Sequence, residues 1–152
     1  MLGGCVNQLG MQASNVTRNA WLGAGLPLEV PSVTVNTQCG SSQEGTTLAH
    51  ALLAGGLVDV AIACGVEAMS QVPMGATIPK DPVVGKPVTK AYWKHHEWTS
   101  QFEGAERIAK QWGIGRSDLD AFGVLSQDRA ARAWAEKRFD SQIVPIAARV
   151  VF

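Results

Sequence analysis

The chain has 152 residues, enough for one domain or for part of a larger one. Apolar residues make up 46% of it and charged residues 17%, which favours a folded core over disorder. The formal net charge is zero, which argues against general binding to nucleic acid or to a membrane surface. Three cysteines without a C-x-x-C pair predict neither a disulfide framework nor a metal site. No signal peptide or membrane-spanning run is recognised, so a cytoplasmic location is expected.

The first predicted elements are a strand, a helix and a second strand. Residues 2–6 form a short apolar run that predicts the end of a strand. Ser14 is placed to cap a helix over about residues 15–22. The β-branched residues 33–35 then predict a short buried strand.

Residues 36–65 predict a turn, a helix and a parallel strand. Ser41 and Glu44 have the spacing of a capping box, which starts the helix two residues after Cys39. A Gly-Gly pair ends this helix. Residues 58–64 are nearly all apolar, as expected of a strand covered on both faces.

Its place on this turn makes Cys39 a candidate nucleophile. Open α/β sheets bind their ligands at the carboxyl ends of their strands. A thiol beside a helix N-terminus meets the positive end of the helix dipole and unpaired backbone N–H groups, which favour the thiolate. The alternative, a buried and inert cysteine, is equally consistent with position alone. Cys5 and Cys64 are interpreted as packing residues.

The other reactive side chains have weaker arguments for a role in catalysis. Glu67 is interpreted as a carboxylate that accepts backbone N–H bonds in a loop. His50 lies ~12 Å along the predicted helix from Cys39, at ~1.5 Å per residue, so it is excluded as a direct partner. His95 and His96 could reach Cys39 only if their loop folded over the site, and tandem loop histidines are usually solvated.

Residues 71–100 are predicted to leave the core, because they hold four of the seven prolines and little apolar periodicity. Between residues 80 and 96, four lysines against one aspartate give a charge of +3 in a neutral chain. Aromatic residues are interleaved with them, which favours either a surface for an anionic ligand with a flat ring or a solvated basic loop. The residues concerned are Lys80, Lys86, Lys90, Lys94, Asp81, Tyr92, Trp93 and Trp98.

Two helices and a strand are predicted in the remaining chain. The first helix starts at Thr99 or Ser100, and Ser117 caps the second. The aromatic positions of both helices fit packing in a core. Residues 142–146 predict the start of a further strand.

Two stretches resemble the thiolases, which exchange acyl groups between coenzyme A thioesters. VNTQCGSSQEGTTLAHALLAGGLVDVAIACGVEAMSQVPMG, residues 35–75, resembles their nucleophile region. QFEGAERIAKQWGIGRSDLDAFGVLSQDRAARAWAEKRF, residues 101–139, resembles the stretch that leads back from their loop domain. The pattern is more similar to degradative and acetoacetyl-CoA-type thiolases than to ketoacyl synthases.

The resemblance implies a function and its residues. Cys39 matches the family's nucleophile, which forms an acyl-cysteine from a 3-oxoacyl-CoA in lipid or steroid side-chain degradation. The basic excursion corresponds to the loop domain that holds coenzyme A, with Lys86, Lys90 and Trp93 as candidate contacts. Coenzyme A is a substrate, and no cofactor or metal is expected. The full-length protein is expected to form a dimer or tetramer.

The implied fold is α/β, a thiolase-like N-terminal half with strand–helix–strand units around a mixed sheet and a loop-domain excursion. It divides into a core over residues 1–70, a loop domain over 71–115 and a return to the core over 116–152. The family's Gly-His-Pro and Cys-x-Gly motifs do not occur in the sequence. The chain is therefore expected to be a fragment, incomplete at both ends. It is either a thiolase with part of its catalytic machinery or a catalytically incomplete interaction partner.

Overall fold

The computed structural model describes residues 1–78 and 81–147. The chain forms two compact units, Met1–Val88 and Thr89–Phe152. The first unit contains β1 (Leu2–Gly4), α1 (Val16–Gly23), β2 (Val33–Val35), α2 (Ser41–Ala54) and β3 (Ala63–Gly65). The second unit contains α3 (Gln101–Trp112) and α4 (Arg116–Ala135). Short 3-10 turns occur at Gly10–Gln12, Pro82–Val84 and Tyr92–Lys94.

The three strands form one parallel sheet in the order β2-β1-β3. Leu2 pairs with Val33 on one side and with Ala63 on the other. The α/β class and the predicted unit of strand, turn, helix and parallel strand are therefore confirmed. A mixed sheet was expected, whereas the three described strands are all parallel.

Two adjacent glycines in β1 allow helices to pack closely on both faces of the sheet. A Cβ atom on Gly3 would lie 2.1 Å from Thr17 Oγ1 of α1. A Cβ atom on Gly4 would lie 2.5 Å from the backbone nitrogen of Ser42 in α2. Because successive strand residues point to opposite faces, α1 and α2 cover opposite sides of the central strand.

Burial is concentrated on β1, and the two outer strands are less covered than predicted. Leu2 and Cys5 are buried, but Val33 of β2 is 51% exposed. The prediction of a strand over residues 58–64 covered on both faces was wrong, because β3 has three residues of which Cys64 alone is half-buried. Both outer strands lie at edges of a three-stranded sheet, where the described residues provide little further cover.

Two predicted helix caps were wrong by one or two residues, and one was right. Asn15, not Ser14, caps α1, since its side chain accepts a hydrogen bond from Arg18 N. Helix α4 begins at Arg116 after Gly115, so the predicted cap Ser117 lies inside its first turn. Ser100 caps α3 as predicted.

The capping box predicted for α2 does not form. Gly40 is the N-cap and provides no side-chain bond, although the helix does begin at Ser41 and end before Gly55 as predicted. The Ser41 hydroxyl instead belongs to the preceding turn, where it donates to Gln38 O and accepts from Thr37 N. The Glu44 N–H, which a capping box would bond to the Ser41 hydroxyl, donates instead to Gly40 O at 2.9 Å.

Helices α3 and α4 leave their aromatic residues exposed. Phe102, Trp112, Phe122 and Trp134 are between 61% and 76% exposed, so the prediction that they pack in a core is wrong for the described chain. The strand start predicted at residues 142–146 is also wrong, because the described residues there have no regular structure. The second unit holds no described strand with which this segment could pair.

The predicted division into domains at residues 70 and 115 remains a prediction, and residues 148–152 of the last domain lie outside the described chain.

Within residues 1–78 and 81–147, no helix has the length and hydrophobicity needed to cross a membrane.

Candidate active site

The carboxyl ends of the three parallel strands bring three loops to one edge of the sheet. Residues 5–7 follow β1, residues 36–40 follow β2 and residues 66–68 follow β3. Open parallel sheets bind their ligands at this edge. The candidate nucleophile Cys39 is on the second of these loops.

Cys39 occupies a tight turn directly before α2. Gly40 N donates to Thr37 O at 3.3 Å, and Ser41 N donates to Gln38 O at 3.0 Å. Gln38 has a φ of +56°, in the left-handed region that residues other than glycine rarely adopt. The turn therefore has two internal hydrogen bonds and an uncommon backbone conformation immediately before the cysteine.

The three cysteines differ in accessibility. Cys39 is exposed, Cys64 is half-buried and Cys5 is buried. The alternative that Cys39 is a buried packing residue is thus contradicted, whereas the packing interpretation holds for the other two. Burial raises the pKa of Cys5, and the negative charge of Glu67 raises it further. Burial also raises the pKa of Cys64, so both of these thiols favour their protonated, unreactive form.

Glu67, in the loop after β3, ties that loop to the end of β1. Its carboxylate accepts hydrogen bonds from Val6 N, from Asn7 N at 3.1 Å and from Asn7 Nδ2 at 3.3 Å. Gln12 Nε2 donates to the same carboxylate at 3.3 Å. The prediction that Glu67 accepts backbone N–H bonds is confirmed, and these bonds join the loop after β3 to the loop after β1.

Gln12 completes this network. Its Oε1 accepts from Ala68 N at 2.6 Å, and its Nε2 also donates to Asn7 O at 2.8 Å. Both Gln12 and Asn7 are almost fully buried, at 2% and 3% exposure. Partial burial raises the pKa of Glu67, but the hydrogen bonds from Val6, Asn7 and Gln12 outweigh this effect and leave that pKa below its ordinary value. The carboxylate is therefore ionised at neutral pH.

The candidate coenzyme A contacts lie in different units. Lys86 is exposed in the first unit, and Lys90 and Trp93 are exposed in the second. Trp93 packs edge-on against Tyr92 at 5.5 Å between ring centroids and lies 6.4 Å from Trp98.

Residues 93–98 line an open cavity of about 470 Å³. This segment interleaves aromatic and basic side chains as the sequence predicted. Lys80 lies outside the described residues.

His50 is exposed on α2, as predicted, beyond the first two turns of the helix, so it is not a direct partner of Cys39. His95 and His96 are exposed in the second unit. In the part of the chain that the structure describes, no group of three or more His, Cys, Asp or Glu residues could hold a metal ion.

Residues 1–151 match the family model described as the thiolase N-terminal domain. This chain belongs to the thiolase family. It is 36% identical to a steroid 3-ketoacyl-CoA thiolase of Mycobacterium tuberculosis, with 96% of this chain and 37% of that protein aligned. It is 37% identical to a 3-ketoacyl-CoA thiolase of Bacillus subtilis, with 97% of this chain and 36% of that protein aligned. The chain thus spans little more than a third of the length of these relatives.

A solved thiolase has the same fold. The crystal structure of a thiolase from Ascaris suum in complex with coenzyme A superimposes with a TM-score of 0.72 and 26% sequence identity. The match covers 95% of this chain and 39% of that one. The thiolase resemblance and the α/β fold inferred from the sequence are therefore confirmed.

Sequence reasoning missed three polar residues of this thiolase edge. Asn7 and Gln12 support the loop after β3, and Asn36 joins the loop after β1 to the Cys39 turn through Val6 O at 3.2 Å. All three are amides outside regular strands and helices α1–α4. The sequence did offer a signal for Asn36, because an asparagine side chain readily bonds to the backbone N–H two residues later in a turn, here that of Gln38.

Proposed function

We propose that this chain carries the acyl-accepting nucleophile of a 3-oxoacyl-CoA thiolase, and that the nucleophile is Cys39. The observation that carries the proposal is the exposed thiol on a tight turn at the N-terminus of α2, at the ligand-binding edge of a parallel sheet. Family membership and the relatives' names supply the class of reaction.

The proposed chemistry proceeds in two steps. The Cys39 thiolate adds to the 3-keto carbonyl of the substrate, and the bond between C2 and C3 breaks. The electron pair leaves with acetyl-CoA as its enolate, which takes up a proton, and the acyl group stays on Cys39 as a thioester. The thiolate of a second coenzyme A then attacks this thioester, releases the shortened acyl-CoA and restores Cys39.

This chain is proposed to supply the nucleophile but not every catalytic group. The histidine and second cysteine implied by the family resemblance belong to motifs that do not occur in the sequence. His50 does not replace the histidine, because it is exposed on the helix beyond the first two turns of α2. Rapid turnover thus requires groups from another polypeptide segment.

Coenzyme A is proposed to contact the basic and aromatic segment, through Lys86, Lys90 and Trp93. Lysine ammonium groups suit its phosphates, and an exposed indole offers a face on which adenine can stack. All three side chains are exposed and accessible to a ligand. The neighbouring cavity lined by residues 93–98 lies in the same segment.

Three further elements belong to the same proposal. The relatives' names, steroid 3-ketoacyl-CoA thiolase and 3-ketoacyl-CoA thiolase, support a 3-oxoacyl-CoA substrate, and we propose lipid or steroid side-chain degradation as its context. We also propose that the full-length enzyme is a homo-oligomer and that it is located in the cytoplasm.

A second candidate function is that of an interaction partner that does not turn over. It is favoured by the exposed apolar side chains of α3 and α4, with Phe102 76% exposed and Phe122 71% exposed. Large exposed apolar patches mark surfaces that associate with another protein. On this hypothesis Cys39 does not transfer acyl groups to coenzyme A.

The experiment that separates the two functions is an acyl-transfer assay. The chain is incubated with acetoacetyl-CoA and coenzyme A, and acetyl-CoA is measured by chromatography. The thiolase proposal predicts acetyl-CoA formation that is lost in Cys39→Ala and retained in Cys64→Ala. Acetyl-CoA formation equal in Cys39→Ala and the unmodified chain would refute Cys39 as nucleophile, and its absence from the unmodified chain would favour the interaction partner.

A further inference from the structure

We propose that Asn36 is the positioning residue of the Cys39 turn, which deepens the proposed acyl transfer and rests on it. Asn36 directly follows β2. Its Oδ1 accepts a hydrogen bond from Gln38 N at 3.0 Å, and its Nδ2 donates to Val6 O at 3.2 Å. One side chain thus connects the nucleophile turn to the loop that follows the central strand.

The first bond fixes the backbone conformation before the nucleophile. A bond from an asparagine side chain to the N–H two residues later is the arrangement of an Asx-turn. Gln38 is held at a φ of +56°, and its carbonyl accepts from both Ser41 N and the Ser41 hydroxyl. Both ends of this residue are therefore bonded, and the direction in which the chain enters Cys39 is fixed. Uncommon backbone angles next to a reactive residue are typical of functional sites.

The second bond fixes the turn relative to the sheet. Val6 O accepts from Asn36, while Val6 N donates to the Glu67 carboxylate. Glu67 follows β3, so the loops after all three strands are joined through one residue of the β1 loop. The network is therefore continuous from β3, through Val6 and Asn36, to the residue before Cys39.

The two bonds require both ends of an amide. An aspartate at position 36 could still accept from Gln38 N, but its carboxylate would face the carbonyl of Val6 and could not donate to it. An alanine would lose both bonds. We therefore expect Asn36→Asp to retain the Asx-turn and lose the bond to Val6, and Asn36→Ala to lose both.

The first readout is independent of acyl transfer. Hydrogen exchange of the Gln38 amide, resolved by ¹⁵N NMR, is compared in the unmodified chain and three variants. We expect exchange about fivefold faster in Asn36→Ala, since one hydrogen bond is lost, and close to normal in Asn36→Asp. Asn19→Ala is the matched control, because that exposed asparagine on α1 bonds to the carbonyls of Ala13 and Ser14 instead.

The second readout is acylation of Cys39 by acetoacetyl-CoA, followed by mass spectrometry over a range of substrate concentrations. Positioning affects the limiting rate, so we expect a fall on the order of tenfold in Asn36→Ala with an unchanged half-saturating concentration. Asn36→Asp is expected to have an intermediate limiting rate. Iodoacetamide, which needs only an accessible thiol, is expected to label Cys39 in all folded variants.

The outcomes distinguish this proposal from the proposed function. Unchanged Gln38 exchange in Asn36→Ala, or an unchanged limiting rate of acylation, would overturn the role of Asn36. Absence of any acyl adduct in the unmodified chain would overturn the proposed function, and the exchange comparison would still decide whether Asn36 holds the turn. If Asn36→Ala does not fold, Asn36→Asp still decides the matter, because a limiting rate equal to that of the unmodified chain contradicts the need for the Val6 bond.

Discussion

Replacing Glu67 by alanine removes the acceptor of four hydrogen bonds at the carboxyl edge of the sheet. The donors are Val6 N, Asn7 N, Asn7 Nδ2 and Gln12 Nε2. Asn7 is 3% exposed, so water cannot readily replace the lost carboxylate there. A buried donor left without an acceptor costs ~1–3 kcal/mol, and we expect about 3 kcal/mol in total for the Asn7 and Val6 groups.

Glutamine at position 67 separates the loss of charge from the loss of the side chain. Its carbonyl can accept the backbone bonds, but its NH₂ group would face the amide donors of Asn7 or Gln12. We therefore expect Glu67→Gln to destabilise the fold by about 1–2 kcal/mol. Glu29→Gln is the control, because Glu29 is exposed and the same charge is removed without a described hydrogen bond.

Urea unfolding monitored by ¹⁹F NMR of fluorotryptophan measures this effect in the unit concerned. Trp21 is buried in the first unit, whereas the other four tryptophans lie in the second, so its signal reports β1 and its neighbours. With an m value near 2 kcal/mol/M, Glu67→Ala is expected to lower the midpoint by about 1.5 M. A midpoint equal to that of Glu29→Gln would show that the Glu67 network does not stabilise the edge.

Three further predictions concern pH, packing and ligand binding. The folded pKa of Glu67 lies below its ordinary value of 4.5, so the stability that its carboxylate contributes is complete above that value and is lost as pH falls through the folded pKa. The difference in unfolding free energy between the unmodified chain and Glu67→Gln should therefore narrow in acid. A difference that stays constant with pH would refute this prediction. Gly4→Ala places a Cβ 2.5 Å from the backbone nitrogen of Ser42 and should lower the free energy of unfolding in urea by about 2–3 kcal/mol. Gly123→Ala, in open space on α4, should instead stabilise its helix by ~0.5–1 kcal/mol. Equal effects of the two substitutions would contradict the packing described for β1. The double variant Lys86→Glu/Lys90→Glu should weaken coenzyme A binding by on the order of tenfold in calorimetry, with Lys110→Glu on α3 as the control, and unchanged affinity would remove both lysines from the proposed contacts.

The sequence predicted the local units of the first half well, because their signals are local. Glycine ends α2, β-branched residues form β2, and Cys39 lies on the turn between them. It was also predictable that Glu67 accepts backbone hydrogen bonds, since a carboxylate in a loop readily accepts backbone N–H bonds. Its partners were not predictable, because Asn7 and Gln12 are more than fifty residues away in the chain and meet it only through the sheet.

The predictions of burial failed because burial depends on residues distant in sequence. Apolar periodicity predicts which face of a helix can be buried but does not say what covers it. Phe102 and Phe122 have such periodicity and are exposed within the described chain. The capping box at Ser41 failed for a different reason, because the same hydroxyl also had backbone partners in the preceding turn.

The role of Cys39 as nucleophile is tested most directly by the mass of the intact chain after incubation with acetoacetyl-CoA, followed by peptide mapping. We expect one acetyl group, located on Cys39, which is absent in Cys39→Ala and present in Cys64→Ala. The adduct should disappear when coenzyme A is added, because the acyl-cysteine transfers its acetyl group to that thiol. A folded chain that acquires no acetyl group, or that acquires it on Cys5 or Cys64, would contradict Cys39 as the nucleophile.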